Sequence, residues 1–172
     1  ATRDTWSLDL GFSAGRSGGA NSSGLKLREY NLFGTGTAIS LGRSKDVDRT
    51  STEFQFSNAR AFGTWAAVDF EHASNSDGKR SAASVVRPFY ELDARWAAGA
   101  SASKDDRIDA VYHAGKVASQ YRHREDRGEV FGGWSPGLQA GWVRRYELGV
   151  SYEMDAHAAE PGLVAPTQLP TD

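Results

Sequence analysis

The sequence predicts an all-β protein, an antiparallel up-and-down transmembrane β-barrel, of which this chain supplies about nine strands. From Thr5 to Asp155, apolar and polar residues alternate in long runs broken by short Gly, Asn and Asp-rich stretches, and no segment is written as a helix. Successive side chains of a strand point to opposite faces, so the pattern turns one face to hydrocarbon and the other to water. The runs last about ten residues or more, against about five or six for the usual strand of a soluble sheet. That length matches the roughly 9–11 tilted residues that cross a bilayer. In the last run, Trp142, Tyr146, Leu148, Val150, Tyr152 and Met154 hold one parity, and Arg145, Glu147, Gly149, Ser151, Glu153 and Asp155 hold the other.

Taken in order, the runs place strands at Thr5–Gly15, Ser22–Asn31, Thr37–Ser44, Thr50–Asn58, Thr64–Ala73, Arg80–Pro88, Asp93–Tyr112, Ala118–Trp134 and Trp142–Asp155. Their connections alternate in character. Asn31–Gly36, Asn58–Gly63, Arg87–Asp93 and Ser135–Gly141 set aromatic or Leu residues beside Gly or Pro, as expected of turns at a membrane interface. Arg16–Asn21, Lys45–Arg49, Asn75–Lys79 and Ala114–Lys116 are polar, charged or small, as expected of loops in water. Outer-membrane barrels have short periplasmic turns and longer outer loops, so the first set is placed inside and the second outside. The seventh and eighth strands exceed the bilayer, and their outer halves set Asp105, Asp106 and Asp109 against Arg122, His123 and Arg124. A salt-bridged hairpin projecting into water is expected there. Residues 1–155 are thus read as barrel, and 156–172 as a Pro-rich extracellular loop or cut end.

Composition agrees with this reading and excludes others. Mean hydropathy is negative, and no apolar run reaches the length of a membrane helix. A barrel hides its apolar band by interleaving it with lumen residues. The absence of cysteine removes a disulfide scaffold and thiolate metal sites. A formal charge of −2, with both signs interspersed, offers no basic field for nucleic acid.

Aromatic residues collect near the inner turns: Trp6, Tyr30, Phe33, Phe62, Trp65, Phe89, Tyr90, Trp134 and Trp142. An amphipathic ring at that depth keeps its body in lipid and its polar tip among headgroups. Of these, Trp65, Phe89, Tyr90, Trp134 and Trp142 are the expected interface girdle. Core corners of a soluble sandwich would also collect large residues. Arg144, on the apolar parity beside an inner turn, favours the girdle, because it can snorkel to an interface but would need a buried partner in a dry core.

The stretch Arg28–Gly42, containing Asn31-Leu32-Phe33-Gly34-Thr35-Gly36, followed by Ser57–Gly63 and Arg87–Asp93, resembles the bacterial surface-antigen family of outer-membrane barrels, the BamA and TamA type. Asn31, Leu32, Phe33, Gly34 and Gly36 carry the family turn motif. In that family a sixteen-stranded barrel follows periplasmic POTRA domains, and its first and last strands meet at a seam that opens sideways to client strands. The resemblance implies insertion or export of outer-membrane or secreted proteins in a Gram-negative outer membrane. Its partners would be outer-membrane lipid, periplasmic domains or chaperones, and client chains. By position, Trp6, Leu8, Leu10 and Phe12 would lie on the gate's first strand. No POTRA-like segment precedes Thr5, and the Arg-Gly-Phe or Arg-Gly-Tyr motif of the family's second half is absent. Nine strands would leave the ends on opposite sides of the membrane, whereas single-chain bacterial barrels have even strand numbers. The expectation is therefore about the N-terminal half of a barrel.

No enzyme chemistry, cofactor or metal site is expected. Gly133-Trp-Ser-Pro-Gly137 matches the G-x-S-x-G elbow, but the elbow needs a following helix and an N–H on the residue after serine, which Pro136 lacks. His72, His113, His123 and His157 show no tight ligand spacing, and Gly34-Thr-Gly36 lacks the third glycine of a dinucleotide loop. Asp9, Glu53, Asp69, Glu71, Arg95, Glu147 and Glu153 are expected in a polar lumen, with no catalytic pair distinguishable among them. Beside the assembly barrel stand a passive pore, the translocator barrel of a patatin-type secreted lipase, and a soluble lipocalin-like barrel, the last disfavoured by strand number and by the outward apolar parity.

Overall fold

In the computed structural model, residues 7–17, 20–46, 49–61, 63–167 and 169 are described. β1 (Leu8–Ser17), β2 (Ala20–Leu32), β3 (Thr37–Lys45), β4 (Thr50–Ala61), β5 (Ala66–Asn75), β6 (Gly78–Arg87), β7 (Trp96–His113) and β8 (Lys116–Trp134) each pair with the next, antiparallel. A small hairpin, β9 (Leu138–Gln139) and β10 (Trp142–Val143), then intervenes, and β11 (Tyr146–Ala159) returns to pair with β8. The result is an all-β, up-and-down sheet of nine strands. Among the described residues β1 and β11 are its two edges and do not pair with each other.

The expected ninth strand divides in two. Trp142 pairs with Gln139 across a turn in which Ala140 and Gly141 have φ of 48° and 82°, outside the main sheet. Main-sheet pairing resumes at Tyr146, opposite Trp134, and continues to Ala159. A two-residue turn with both central φ positive matches the twist of a hairpin, so the Leu138–Val143 segment closes on itself before the chain reaches β8.

Register separates the faces across the sheet. One rung runs Leu8, Glu29, Ile39, Phe56, Phe70, Ala83, Ala102, Gly128, Tyr152. Its neighbour, on the opposite face, runs Asp9, Arg28, Ser40, Gln55, Glu71, Ala82, Ser103, Arg127, Glu153. The apolar band is oblique to these rungs. The rung from Leu10 through Leu27, Leu41 and Phe54 passes His72, Lys104 and Asp126 before it reaches Met154. On β11 the band is centred nearer Val150, about 13 Å down the strand from Met154 at roughly 3.3 Å per residue. A level band across tilted strands has this slant.

Turns at the two ends are built differently. At Leu32–Thr35 and Ala61–Thr64 the sequence Phe-Gly-Thr recurs, and a register shift precedes each turn. Gly34 and Gly63 take φ of 71° and 69°, and Thr35 and Thr64 donate their hydroxyls to the carbonyls of Leu32 and Ala61 at 2.7 and 2.8 Å. Glycine adopts this left-handed backbone at no steric cost. At the other end β5 and β6 close through Ser76-Asp77, and β7 and β8 through Ala114 and Gly115, with φ of 49° and 75°.

Little of the molecule is core. Among the described residues the buried apolar ones are all alanines: Ala61, Ala73, Ala94 and Ala97. On the polar face Phe131 lies between Gly99 of β7 and Gly149 of β11, and a Cβ on Gly99 would stand 2.3 Å from the Phe131 ring. Glycine at position 99 makes room for a ring that lies across β8 and β7, while Gly149 leaves space beside the Phe131 Cβ. Gly99→Ala is expected to destabilise the sheet by about 1–3 kcal/mol through overpacking, and to cost markedly less in a Phe131→Ala background. A double-mutant cycle from urea unfolding checks the coupling; additive effects would contradict it.

Candidate functional site

An unusually large apolar surface is left uncovered. Phe12, Leu148 and Val150 are 76%, 82% and 75% exposed, and Leu8, Leu10, Leu25, Leu27, Leu41, Phe70, Val85 and Val130 are exposed on the same ladder face. Of the expected gate residues, Leu8, Leu10 and Phe12 lie on this face of edge strand β1, and Trp6 lies outside the described residues.

One rim of the face is aromatic. Trp96, Trp134 and Tyr146 form a single rung across β7, β8 and β11, with the Trp134 and Tyr146 rings stacked. Arg87, on the ladder face of Val85, lays its guanidinium over Trp96 at 3.6 Å and over Tyr90 at 4.8 Å. Tyr90 stacks on Trp65 with centroids 4.6 Å apart, and Arg60 covers Trp65 at 4.0 Å. The structure thus brings together Trp65, Tyr90 and Trp134 of the expected girdle and adds Arg60, Arg87, Trp96 and Tyr146 to it. Phe89 lies apart, against Gly133 on the polar face, with Arg145 above its ring. Trp142 is exposed on the β9–β10 hairpin, and Phe62 lies outside the described residues. Arg144 falls between β10 and β11 and not on the main sheet.

The turn residues Asn31, Leu32, Phe33, Gly34 and Gly36 act as a unit. Asn31 Oδ1 accepts the Gly36 N–H at 2.8 Å, and Glu29 Oε1 accepts the Asn31 N–H at 3.0 Å. Phe33, at φ 53°, is 89% exposed.

On the other face, Asp9, Glu53, Asp69, Glu71, Glu147 and Glu153 share the polar parity as expected, whereas Arg95 precedes β7 and pairs with Asp93 at 3.9 Å. A hollow of about 590 Å³ is lined by Gln55, Asp69 and Glu71 on one side and Arg127, Glu129 and Glu153 on the other. A shallower apolar hollow, lined by Val68, Phe70, Val85, Val130 and Val150, marks the opposite face, as in a twisted, saddle-shaped sheet. Ser135 is fully buried, and its Oγ accepts the Gly137 N–H at 3.0 Å, which occupies the only hydroxyl of the Gly133–Gly137 segment in a turn.

The projecting end of β7, β8 and β11 carries the expected salt bridges. On one face Asp106 is held by Arg122 and by Arg124 at 3.1 Å, and Arg122 also grips Glu160, beyond β11. Burial pushes the Asp106 carboxyl up, but the two guanidiniums outweigh it and hold it below its ordinary value. Glu160 is held down by its bond to Arg122, whose own guanidinium is held up by Glu160 and Asp106.

The other face of this end is organised around His123, which cross-strand register alone brings to its partners. His123 Nε2 lies 3.1 Å from Asp155 and Nδ1 lies 3.0 Å from Asp109, while Arg107 Nη2 approaches Nδ1 at 2.9 Å. His157 stacks on the ring at 4.5 Å, and Tyr121, Asp105, Glu125 and Arg127 complete the surroundings. A protonated ring donates to both carboxylates; a neutral ring keeps its proton toward Asp155 and offers Nδ1 to Arg107 instead. Burial lowers the His123 pKa, but the bonds to Asp155 and Asp109 outweigh it, and the net shift is upward. Donor atoms of His123, Glu125 and Asp155 all lie within 4.8 Å of one another, close enough to meet a metal ion. A cation there would have to displace Arg127 from Glu125, which it holds at 2.7 Å, and break the His123–Asp155 bond.

Compared with family models, with curated proteins and with solved structures, the chain matches none.

Because the folded pKa of His123 is raised, its stabilisation is fully present below the ordinary histidine value, about 6.5, and is lost as pH rises through the folded value. Thermal stability of the wild type is therefore expected to fall as pH rises above the ordinary histidine value, about 6.5, and His123→Gln is expected to flatten that slope. A slope unchanged in the variant would remove His123 as its source.

Proposed function

We propose that this sheet is part of the wall of an outer-membrane β-barrel, with its apolar face in lipid and its polar face toward the lumen. The observation that supports this most is the exposed apolar band, which crosses all nine strands, runs oblique to the rungs and ends at an aromatic rim. Every backbone group within a bilayer must find a partner, and among sheets only barrel walls satisfy that. The apolar run Tyr146 to Met154 extends about 27 Å along β11, comparable with the roughly 25 Å band of such barrels once tilt is allowed for.

Within that class we assign the barrel to protein assembly or translocation, the insertion or export of outer-membrane or secreted chains. The support is the resemblance of the Asn31–Gly36 and Ser57–Gly63 turns to the surface-antigen family, together with β1 as an apolar-faced edge whose outer backbone groups make no ladder. An edge of that kind accepts an incoming strand by main-chain hydrogen bonds, while its alternate side chains stay in lipid. The partners on this reading are outer-membrane lipid, periplasmic domains or chaperones, and client strands. The charged polar face and its hollow favour a second reading, a passive pore. Depleting the protein is expected to lower the amount of folded client barrels in the outer membrane. Stable conductance with client levels unchanged would favour the pore.

Val150 and Ser151 separate lipid from water directly. At 75% exposure, Val150→Arg would be nearly neutral on a wetted surface, but in a bilayer it is expected to cost about 2–4 kcal/mol, with Ser151→Arg on the polar face mild. Unfolding equilibria of the full-length protein in lipid vesicles measure the difference. Equal costs at the two positions would overturn the lipid-facing assignment.

A further inference from the structure

The aromatic rim holds two arginines in an arrangement that ion pairing does not account for. Among the described residues neither Arg60 nor Arg87 meets a carboxylate, although this chain carries 22 acidic side chains and pairs most of the arginines at its other end. Each guanidinium instead lies over aromatic rings: Arg60 over Trp65, and Arg87 over both Tyr90 and Trp96. Trp65 and Tyr90 join the two groups into one stack, nearly parallel at 8°. Arg87 also donates from Nη1 to the Trp96 carbonyl, which leaves its Nε–Nη2 edge for another acceptor.

A stacked guanidinium uses its face for the rings and leaves its in-plane N–H edge for an acceptor. That edge matches the spacing of two oxygens on phosphate, whereas a lysine in its place would present only a point charge. Arg87 stands on the ladder face of Val85 and Ala83, so an acceptor at its edge sits where the apolar band ends. We infer that Arg87 and Arg60 bind the phosphodiesters of anionic phospholipids in the leaflet that meets this rim. The inference rests on the lipid-facing reading of the apolar band. It adds the ligand and the leaflet: phospholipid headgroups at the aromatic rim, and not the lipid surrounding the charged hairpins.

The test uses full-length protein carrying Trp96 as its single tryptophan, with Trp65→Phe keeping an aromatic ring under Arg60, in vesicles of phosphatidylcholine doped with acyl-brominated phosphatidylglycerol or acyl-brominated phosphatidylcholine. Brominated phosphatidylglycerol at low mole fraction is expected to quench Trp96 several-fold more strongly than brominated phosphatidylcholine. Arg60→Gln with Arg87→Gln is expected to bring the two lipids to the same, lower value, and that remaining quenching reports that the variant is still folded in the bilayer. Equal quenching by both lipids in the parent, or a preference that survives the double substitution, would overturn the inference while leaving the lipid-facing reading intact. Absence of quenching by either lipid would remove the lipid-facing reading itself. Inorganic phosphate at about ten millimolar distinguishes a lipid site from a soluble one: loss of the preference at constant ionic strength would assign the arginines to free phosphate and overturn the lipid assignment.

Discussion

The side-chain period of two, kept in register across nine strands, is the constraint on which the rest of the structure depends. It sends Leu10, Leu27, Leu41 and Phe54 to one face and Lys26, Arg28, Gln55 and Glu71 to the other. A one-residue slip at any pairing would exchange the two sets beyond that point. A sheet with one apolar face ordinarily packs it against a second layer, yet among the described residues the buried apolar ones are four alanines and most of the leucines are exposed. Backbone pairing and cross-strand contacts hold these strands to one another, and the medium over the apolar face supplies what a second layer would. On the proposed reading the medium is lipid, which would account for the extent of that surface, its oblique course and its aromatic border together. Water accounts for none of them.

The same period is why most of the fold was legible in the sequence. Alternation located eight of the main strands to within a few residues, because each run carries its own signal and neighbouring strands are joined by short hairpins. The break in the ninth strand was hidden for a local reason. Trp142, Arg144 and Tyr146 keep one parity unbroken, while the left-handed pair Ala140-Gly141 folds Trp142 back onto Gln139. Parity describes where side chains would point in a continuous strand, and does not report that the strand has changed partner. The register shifts before Leu32, before Ala61 and between Val111 and Tyr112 are invisible for the same reason.

Site residues were legible in proportion to how local their contacts are. The Asn31–Gly36 turn closes through bonds within six residues and was identified as a unit. The charges of the projecting hairpin are legible as opposing sets, since β7 and β8 are joined by the short Ala114-Gly115 turn and the single register shift between Val111 and Tyr112 moves the pairing by only one residue. The centre of the other face was not. His123 reaches Asp155 across 32 residues of sequence, through a pairing whose register depends on where β11 resumes after the β9–β10 hairpin. Arg60 and Arg87 are not legible in the sequence, because a guanidinium that pairs with rings has no complementary charge there to mark it.

The two ends of the sheet consequently hold their arginines by different physics, and the difference gives the molecule a direction. At the projecting end Arg107, Arg122, Arg124 and Arg127 are shared among carboxylates on neighbouring strands, a network that water screens but also solvates cheaply. At the rim Arg60 and Arg87 lie on aromatic faces, an interaction that gains strength as water is withdrawn. Reversing the sheet in a membrane would carry the carboxylate network toward a headgroup layer rich in phosphate, where like charges repel, and would leave the ring-bound arginines in water without a counter-ion. On the proposed reading, orientation would then follow from the same alternation that makes the faces: period two would decide which residues meet lipid, and the placement of rings or carboxylates beside each arginine would decide which end of the strands lies at the phosphate layer.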